Sequence, residues 1–225
     1  MSIIEKKIIA IGGVGVSPES DKELDNFIIN HSKKMKNNIG FLGTASKDDK
    51  EKINKFYKRF NNTSSELSHF NLTSDIDGFH EWLLNKDIVY VGGGNTFYML
   101  EIWKKNNLEQ VFKKAYEKGL ILSGVSAGAV CWFEWILSDS MGRGFEPLKG
   151  INLIEGSCTP HSDNIERINE FEFNIKNNKL PNGVAIDDGV AVVFIDGKPT
   201  EVYSSINNHN AYFLDKNTKI NLKEY

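Results

Sequence analysis

The sequence contains little cysteine and no strong excess of charge of either sign. Cys131 and Cys158 are the two cysteines among 225 residues, and their positions do not match metal-ligand spacing. We therefore favour two free, mostly buried thiols over a disulfide between them, and a reducing cytoplasm as the setting. The net charge of −3 mixes both signs without a long basic stripe, which argues against nucleic acid as a partner.

Long apolar runs are also missing. No run approaches the roughly 20 residues that a membrane span requires, so no membrane partner is predicted. The stretch from Met1 to Lys7 leads into a short apolar segment that stops at Gly12, without the length or cleavage pattern of a signal peptide. With 40% hydrophobic and 25% charged residues, and without internal repeats or linkers, residues 1–225 are predicted to form one globular α/β domain.

Short apolar runs alternate with longer amphipathic segments over the first two thirds of the chain. This alternation is typical of parallel strands connected by helices, in a sheet that is covered on both faces. Strands are predicted at residues 7–11, 39–42, 67–72, 87–91 and 120–123, and helices at 19–36, 48–60, 76–84, 97–118 and 127–137. After Pro181, predicted strands at 183–195, 200–205 and 211–214 indicate an antiparallel extension of the same domain.

The strongest local signal is Gly124-Val125-Ser126-Ala127-Gly128, which lies between a predicted strand and a predicted helix. A Gly-x-Ser-x-Gly turn holds its serine in a strained bend, with the hydroxyl clear at the carboxyl edge of the sheet. Small neighbours allow the tight turn, and the following helix directs N–H groups toward developing negative charge. The motif predicts that Ser126 is the nucleophile of a serine hydrolase, and the alternative is a glycine-lined packing turn.

A second signal, Gly92-Gly93-Gly94-Asn95-Thr96, follows the preceding predicted strand. In a parallel sheet both turns lie at the same edge, where ligands usually bind. The N–H groups of Gly94 and Ala127 are predicted to form the oxyanion hole, with Gly93 and Asn95 as further substrate-binding residues. An ordinary turn in which Asn95 caps the next helix is the alternative, and both can hold.

A serine nucleophile needs a base, and the sequence has five histidines. His31, His69 and His80 fall within predicted helices or a strand, which favours surface or core roles for them. His161 lies in a predicted loop and His209 in a polar hairpin turn, so these two are the candidate bases.

The acid that would orient the base has three candidates. Asp187 and Asp188 follow an apolar run and precede Gly189, again at the end of a predicted strand. Asp139 follows the predicted nucleophile helix. Each carboxylate is equally well explained as a solvated turn residue.

These motifs resemble the peptidase E (aspartyl dipeptidase) family of serine peptidases, to which cyanophycinases are related. The likeness runs in order over about residues 7–194 and rests on Gly92-Gly93-Gly94-Asn95-Thr96-Phe97, Ser126-Ala127-Gly128-Ala129 and Pro160-His161. It implies a class I glutamine-amidotransferase-like, flavodoxin-type three-layer sandwich that uses serine where amidotransferases use cysteine. It also implies Ser126 as nucleophile and His161 as general base. No cofactor or metal is predicted.

The resemblance places the acid at Asp188 or at Asp139. Asp188 aligns without a local gap and is preferred. The sequence departs from the aspartyl dipeptidases at one point. Those enzymes carry an arginine-containing stretch after the histidine, to which binding of the substrate's aspartyl carboxylate is attributed. Here that segment supplies only Arg167, in a predicted helix, so Asp-Xaa specificity is not predicted.

The sequence therefore predicts a serine peptidase that hydrolyses short peptides through an acyl-enzyme on Ser126. An α/β-hydrolase-type esterase would instead use His209 as base, with Asp187 or Asp188 as acid. A catalytically weak binding module of the same fold is the non-enzymatic alternative. Homodimer formation is left open.

Two other classes are disfavoured. A glutamine amidotransferase would need cysteine at the turn, whereas Cys131 lies five positions beyond the serine, inside the predicted helix. A dinucleotide-binding fingerprint fails at Gly13-Val14-Gly15-Val16-Ser17-Pro18, because proline stands where the third glycine is required.

Overall fold

The computed structural model describes residues 4–15, 17–61 and 63–224. Residues 1–3 and Val16, on which the interpretations of the N-terminus and of the dinucleotide fingerprint partly depend, lie outside these ranges. Within the described ranges, no helix combines the length and the apolar character that crossing a membrane requires.

The described residues form two sheets and seven α-helices. The strands are β1 Lys7–Ile11, β2 Asn38–Leu42, β3 Glu66–Phe70, β4 Ile88–Val91, β5 Ile121–Val125, β6 Phe133–Ser138, β7 Glu146–Lys149, β8 Ile154–Thr159, β9 Gly183–Ile186, β10 Val190–Ile195, β11 Lys198–Ser204, β12 Ala211–Leu214 and β13 Lys219–Asn221. The helices are α1 Pro18–Asn30, α2 Lys50–Phe60, α3 Phe79–Leu84, α4 Thr96–Lys105, α5 Leu108–Glu117, α6 Ala127–Val130 and α7 Ile165–Lys176.

The first sheet has the strand order β11-β10-β1-β5-β4-β2-β3. The five strands from β1 to β3 in this order are parallel to their neighbours. Beyond β1, β10 and β11 continue the sheet with antiparallel pairing. This arrangement confirms the predicted α/β class, with a mostly parallel sheet and antiparallel C-terminal strands.

The second sheet has the order β13-β12-β9-β8-β6-β7, and β6, β8 and β9 pair in parallel within it. The helix predicted at 127–137 is wrong beyond Val130, because β6 occupies residues 133–138. The run from Trp132 to Leu137 is almost continuously apolar, and such a run fits a buried helix or a buried strand. Pairing with β7 and β8 decides the outcome.

The strand predicted at 183–195 is also divided. β9 and β10 belong to different sheets, so the chain leaves one sheet and enters the other within a few residues. Gly189 makes the turn possible, because its φ of 70° lies in the left-handed region that favours glycine.

Alternate residues of the first sheet serve two separate cores. Ile9 and Ile11 of β1 face α1 and α2, where Phe56 and Phe60 pack. Ile8 and Ala10 face the opposite core, which also contains the buried aromatic side chains Trp103, Phe112 and Trp132. Because β6 and β8 also contribute to this second core, it joins the two sheets. α7 packs on the other side of the second sheet through Ile168, Phe171 and Ile175.

Candidate active site

Ser126 occupies the tight turn between β5 and α6. Its backbone has φ 55° and ψ −114°, a conformation that is uncommon for a residue other than glycine. The Ser126 N–H donates to the Ile11 carbonyl over 2.9 Å, which fixes the turn against the end of β1. A Cβ atom on Gly124 would overlap the Gly128 carbonyl, and one on Gly128 would overlap the Val91 carbonyl. Both glycines of the motif are therefore required by close packing.

His161 lies in the loop after β8, with its ring against Ser126. Its Nε2 atom is 2.8 Å from Ser126 Oγ, and its Nδ1 atom is 2.5 Å from Asp188 Oδ1. Because an ionised carboxylate only accepts hydrogen bonds, Nδ1 carries the proton and donates to Asp188. In the neutral ring Nε2 is then free to accept the proton of the Ser126 hydroxyl. The arrangement can therefore move a proton from the serine oxygen to the imidazole.

Asp188 reaches this position from the turn after β9. Its N–H donates to Asp163 Oδ1 over 3.0 Å. Asp188 also pairs with Gly13, two residues beyond the end of β1, through an isolated parallel bridge. The side chains of Asp188 and His161 are each 35% exposed, so solvent and substrate can reach the pair.

Gly13 is a site residue that the sequence analysis missed. A Cβ atom at this position would overlap Asp188 Oδ1 and would lie 2.7 Å from His161 Nδ1. Gly13 therefore leaves the space in which the histidine and the carboxylate meet. The sequence signal that could have indicated Gly13 is the Gly12-Gly13 pair at the end of the first predicted strand. Asp188, which lies next to Gly13 in space, is 175 residues away in the sequence, so the pair alone did not reveal the contact.

The other two candidate acids have different partners. Asp187 is buried, and its carboxylate accepts hydrogen bonds from Ser162 Oγ at 2.5 Å and from the Asn210 N–H at 2.9 Å. Asp139 forms an ion pair with Arg167 over 3.0 Å and has a side chain that is 58% exposed. Neither carboxylate hydrogen-bonds to His161.

The remaining histidines also have other partners. His209 Nδ1 donates to the backbone carbonyl of Asp188 over 2.9 Å, so its ring contacts the main chain of this candidate acid rather than the serine hydroxyl. His31 lies beside Glu201, His69 hydrogen-bonds to the Tyr57 hydroxyl, and His80 is exposed.

The glycine-rich loop after β4 lies beside the serine. A Cβ atom on Gly93 would be 3.3 Å from Ser126 Cβ, which shows how closely the two backbones approach. Gly94 has φ 152°, and a side chain there would overlap the Ala45 carbonyl. Asn95 caps α4 by accepting from the Tyr98 N–H, and its Nδ2 donates to the Ser140 carbonyl over 2.9 Å.

The N–H of Ala127 is the other predicted oxyanion donor. Ala127 is the first residue of α6, so its N–H has no partner within the helix. α6 has only four residues, and a macrodipole needs a longer row of aligned peptides. Any stabilisation of an anion here therefore comes from individual N–H groups.

Ser126 and His161 both line two cavities. The first, of about 180 Å³, is bounded by aromatic side chains of the first sheet and α2, by three cationic side chains of α2 and by the loop after β4. The second, of about 340 Å³, is bounded by Gly94, Asp139 and Arg167 together with residues of α6 and β6. Arg167 is buried and lies over the ring of Phe145 at 4.6 Å. Arg167, in α7, thus lines the same cavity as the candidate nucleophile.

The two cysteines are free and buried. Burial raises the pKa of both thiols well above the usual value, so Cys131 is held as an unreactive thiol. Among the residues that the structure describes, no cluster of three histidine, cysteine or acidic side chains is arranged to hold a metal ion.

Comparison with known proteins gives a consistent result. The model of a family described as Peptidase family S51 matches residues 8–202. The chain is 38% identical over 213 residues to the uncharacterized peptidase YgaJ of Bacillus subtilis (strain 168), covering 92% of this chain and 91% of that protein.

Two solved structures have a similar fold. A peptidase from an acI-B1 Actinobacterium superposes with a TM-score of 0.71 at 17% identity, covering 97% of this chain and 94% of that one. A putative peptidase E protein from Listeria monocytogenes EGD-e superposes with a TM-score of 0.67 at 16% identity, covering 89% and 98%.

Proposed function

The chain belongs to peptidase family S51, and from this premise we propose that it is a serine peptidase that hydrolyses short peptides through an acyl-enzyme on Ser126. The observation that carries the proposal is the continuous chain of contacts from Ser126 Oγ through the His161 ring to Asp188 Oδ1, at 2.8 Å and 2.5 Å. This is the geometry that a serine nucleophile, a general base and an orienting acid require.

In the first step His161 Nε2 takes the proton of the Ser126 hydroxyl while Oγ attacks the carbonyl carbon of the scissile peptide bond. The carbonyl π electrons move to the oxygen, and the oxyanion accepts hydrogen bonds from the N–H groups of Ala127 and Gly94. Asp188 keeps the imidazole in the tautomer that accepts at Nε2 and stabilises the imidazolium that forms.

In the second step the tetrahedral intermediate collapses and the C–N bond breaks. His161 gives its proton to the leaving amine, which departs and leaves the acyl group on Ser126. A water molecule then attacks the ester, with His161 again as base, and the acid product is released. The free enzyme is restored without a cofactor or a metal ion.

A fluorophosphonate probe combined with Ser126→Ala tests this proposal. The folded wild-type protein is expected to form one adduct on Ser126, and Ser126→Ala none. Turnover of a peptide substrate is expected to fall by about 10⁴ to 10⁶ in Ser126→Ala.

Ser123→Ala is the matched control. Ser123 is a buried serine of β5 whose hydroxyl has no hydrogen-bond partner in the described structure, so its removal costs little. This variant is expected to keep both labelling and turnover. Peptide hydrolysis by Ser126→Ala within a few-fold of wild type would disprove the mechanism, and a folded wild type without an adduct would favour a binding module.

A further inference from the structure

The first of the two cavities has four aromatic side chains in its walls, and we refer to it as the aromatic cavity. Its aromatic walls come from β2, β4 and α2, and Ser126 and His161 also line it. The aromatic side chains that line it are Phe41, Phe56, Phe60 and Tyr90. A group bound there would therefore lie next to the atoms that attack the substrate.

The size of the aromatic cavity suits one ring. Its volume is about 180 Å³, and apolar cavities of about 150 Å³ accept benzene. Gly92 packs closely against this wall, because a Cβ atom there would lie 3.0 Å from the Phe41 ring. Phe41 and Phe56 are themselves stacked at 5.0 Å between centroids, so their packing holds this wall in place.

The charges around the aromatic cavity are mainly positive. Arg59 and Lys55 line it, and both are partly neutralised by carboxylates: Arg59 binds Asp25 in a bidentate pair, and Lys55 lies 3.7 Å from Asp21. Lys52 also lines it, but its ammonium donates to the Gly93 carbonyl over 3.0 Å. A lysine or arginine side chain of a substrate would therefore meet like charge.

Tyr90 contributes its ring, and not its hydroxyl, to the aromatic cavity. The hydroxyl oxygen is fully buried, and the Arg59 guanidinium lies over the same ring at 5.7 Å from its centroid. The wall that Tyr90 forms is therefore apolar, as the walls of ligand pockets mostly are.

We propose that the aromatic cavity binds the side chain of a phenylalanine or tyrosine residue next to the scissile bond. The inference rests on the proposed function, since it takes Ser126 as the atom that attacks the peptide. It assigns a substrate class: short peptides with an aromatic residue at the cleavage site, and not peptides with a basic residue there.

Two dipeptide series test the preference in the wild-type protein, Xaa-Ala and Ala-Xaa, with Phe, Tyr, Ala, Asp or Lys as the varied residue. In one of the two series, kcat/KM for Phe and Tyr is expected to exceed that for Ala at least about tenfold, because a pocket that gains apolar contact discriminates to this degree. Lys is expected to be the poorest substrate. Ala or Asp equal to Phe or better in both series would overturn the proposal.

Binding to Ser126→Ala separates the pocket from the chemistry. Calorimetry of N-acetyl-phenylalanine amide and N-acetyl-alanine amide is expected to give at least about tenfold tighter binding of the aromatic compound. Equal binding would overturn the pocket assignment. The aromatic compound could also bind more tightly while the wild-type protein forms no adduct with the fluorophosphonate probe and cleaves no peptide. That result would support the aromatic pocket and disprove the peptidase mechanism.

The charge of the cavity mouth is tested with Lys52→Glu against Lys58→Glu. Both lysines are exposed on α2, but only Lys52 lines the aromatic cavity. Lys52→Glu is expected to raise kcat/KM for the Lys dipeptide several-fold relative to the Phe dipeptide, and Lys58→Glu to leave the ratio unchanged. Equal ratios in the two variants would contradict the role of charge at this mouth.

Discussion

The two sheets contribute different parts of the site. Ser126, Gly13 and the loop around Gly93 follow parallel strands of the first sheet, whereas His161 and Asp188 follow β8 and β9 of the second sheet. In both sheets the contributing strands are parallel neighbours, so their carboxyl ends meet at one edge. The same rule of α/β sheets thus operates twice, and the site lies where the two edges face each other.

The two sheets differ in what fixes their contribution to the site. The first sheet carries the candidate nucleophile in a short motif whose glycines are required locally. The second sheet positions the candidate base and acid through pairing between strands that are distant in the sequence. If both halves are needed for catalysis, substitutions in the second sheet should be as damaging as the loss of Ser126.

The largest effect is expected from the base. His161→Ala should lower peptide turnover by about 10⁴ to 10⁶, because the serine hydroxyl loses its proton acceptor. His209→Ala is the matched control, since His209 contacts only the Asp188 carbonyl within the proposed triad. Steady-state kinetics on one peptide would measure both. Loss of activity only in His209→Ala would transfer the role of base to His209 and favour an esterase-type arrangement.

The next effect is expected from the acid. Asp188→Asn should lower turnover by about 10⁴, because an amide at this position no longer selects the tautomer of His161 that accepts at Nε2. Asp139→Asn is the control, because Asp139 pairs with Arg167 at the edge of the second cavity. We expect this variant to stay within about tenfold of wild type. The reverse order of the two effects would assign the acid to Asp139.

The strands of the first sheet could be predicted from the sequence better than those of the second. Each parallel strand of the first sheet is a short apolar run followed by a turn, and such runs are recognisable locally. The run from Trp132 to Leu137 gave the same apolar signal, but residues 133–138 form a strand, and only the pairing of β6 with β8 distinguishes a strand from a helix there. Secondary structure in that region depends on residues about 20 positions away, which no local pattern contains.

The choice between Asp187 and Asp188 illustrates the same limit. The two carboxylates are adjacent, and adjacent residues at a strand end point in opposite directions. Asp187 points to Ser162 and the backbone of Asn210, and Asp188 points to His161. The local sequence did not distinguish Asp187 from Asp188 as the candidate acid, and the preference for Asp188 came from the resemblance to a family. The substitutions above test the role itself.

A smaller effect is expected where the two sheets touch. Gly13→Ala should lower kcat about 100-fold while the protein stays folded, because the added methyl group displaces the Asp188 carboxylate and the His161 ring, and a misplacement of about 1 Å costs this much. Gly142→Ala is the control: its φ of 75° strains an alanine there and costs about 1 to 2 kcal/mol of stability, but the methyl group meets no atom within 4 Å, so kcat is expected to stay unchanged. Circular dichroism would verify folding. An unchanged kcat in Gly13→Ala would contradict this prediction, because it would show that Asp188 and His161 can accommodate the added methyl group.

The smallest effect is expected on the first sheet, at the wall of the aromatic cavity. Burial raises the pKa of Tyr90 to about 12, so the hydroxyl stays neutral at working pH, and it has no hydrogen-bond partner in the described structure. Tyr90→Phe should therefore leave the free energy of unfolding unchanged or raise it by up to about 1 kcal/mol, since a buried polar group without a partner is removed.

Tyr57→Phe provides the contrast to Tyr90→Phe, because the Tyr57 hydroxyl lies 2.8 Å from His69 Nδ1 and that hydrogen bond would be lost. Its loss should cost about 1 kcal/mol, which corresponds to a fall in Tm of about 2 to 4 °C for a chain of this size. Thermal unfolding of both variants measures the difference. A fall in Tm for Tyr90→Phe as large as for Tyr57→Phe would mean that the Tyr90 hydroxyl is satisfied in the folded protein.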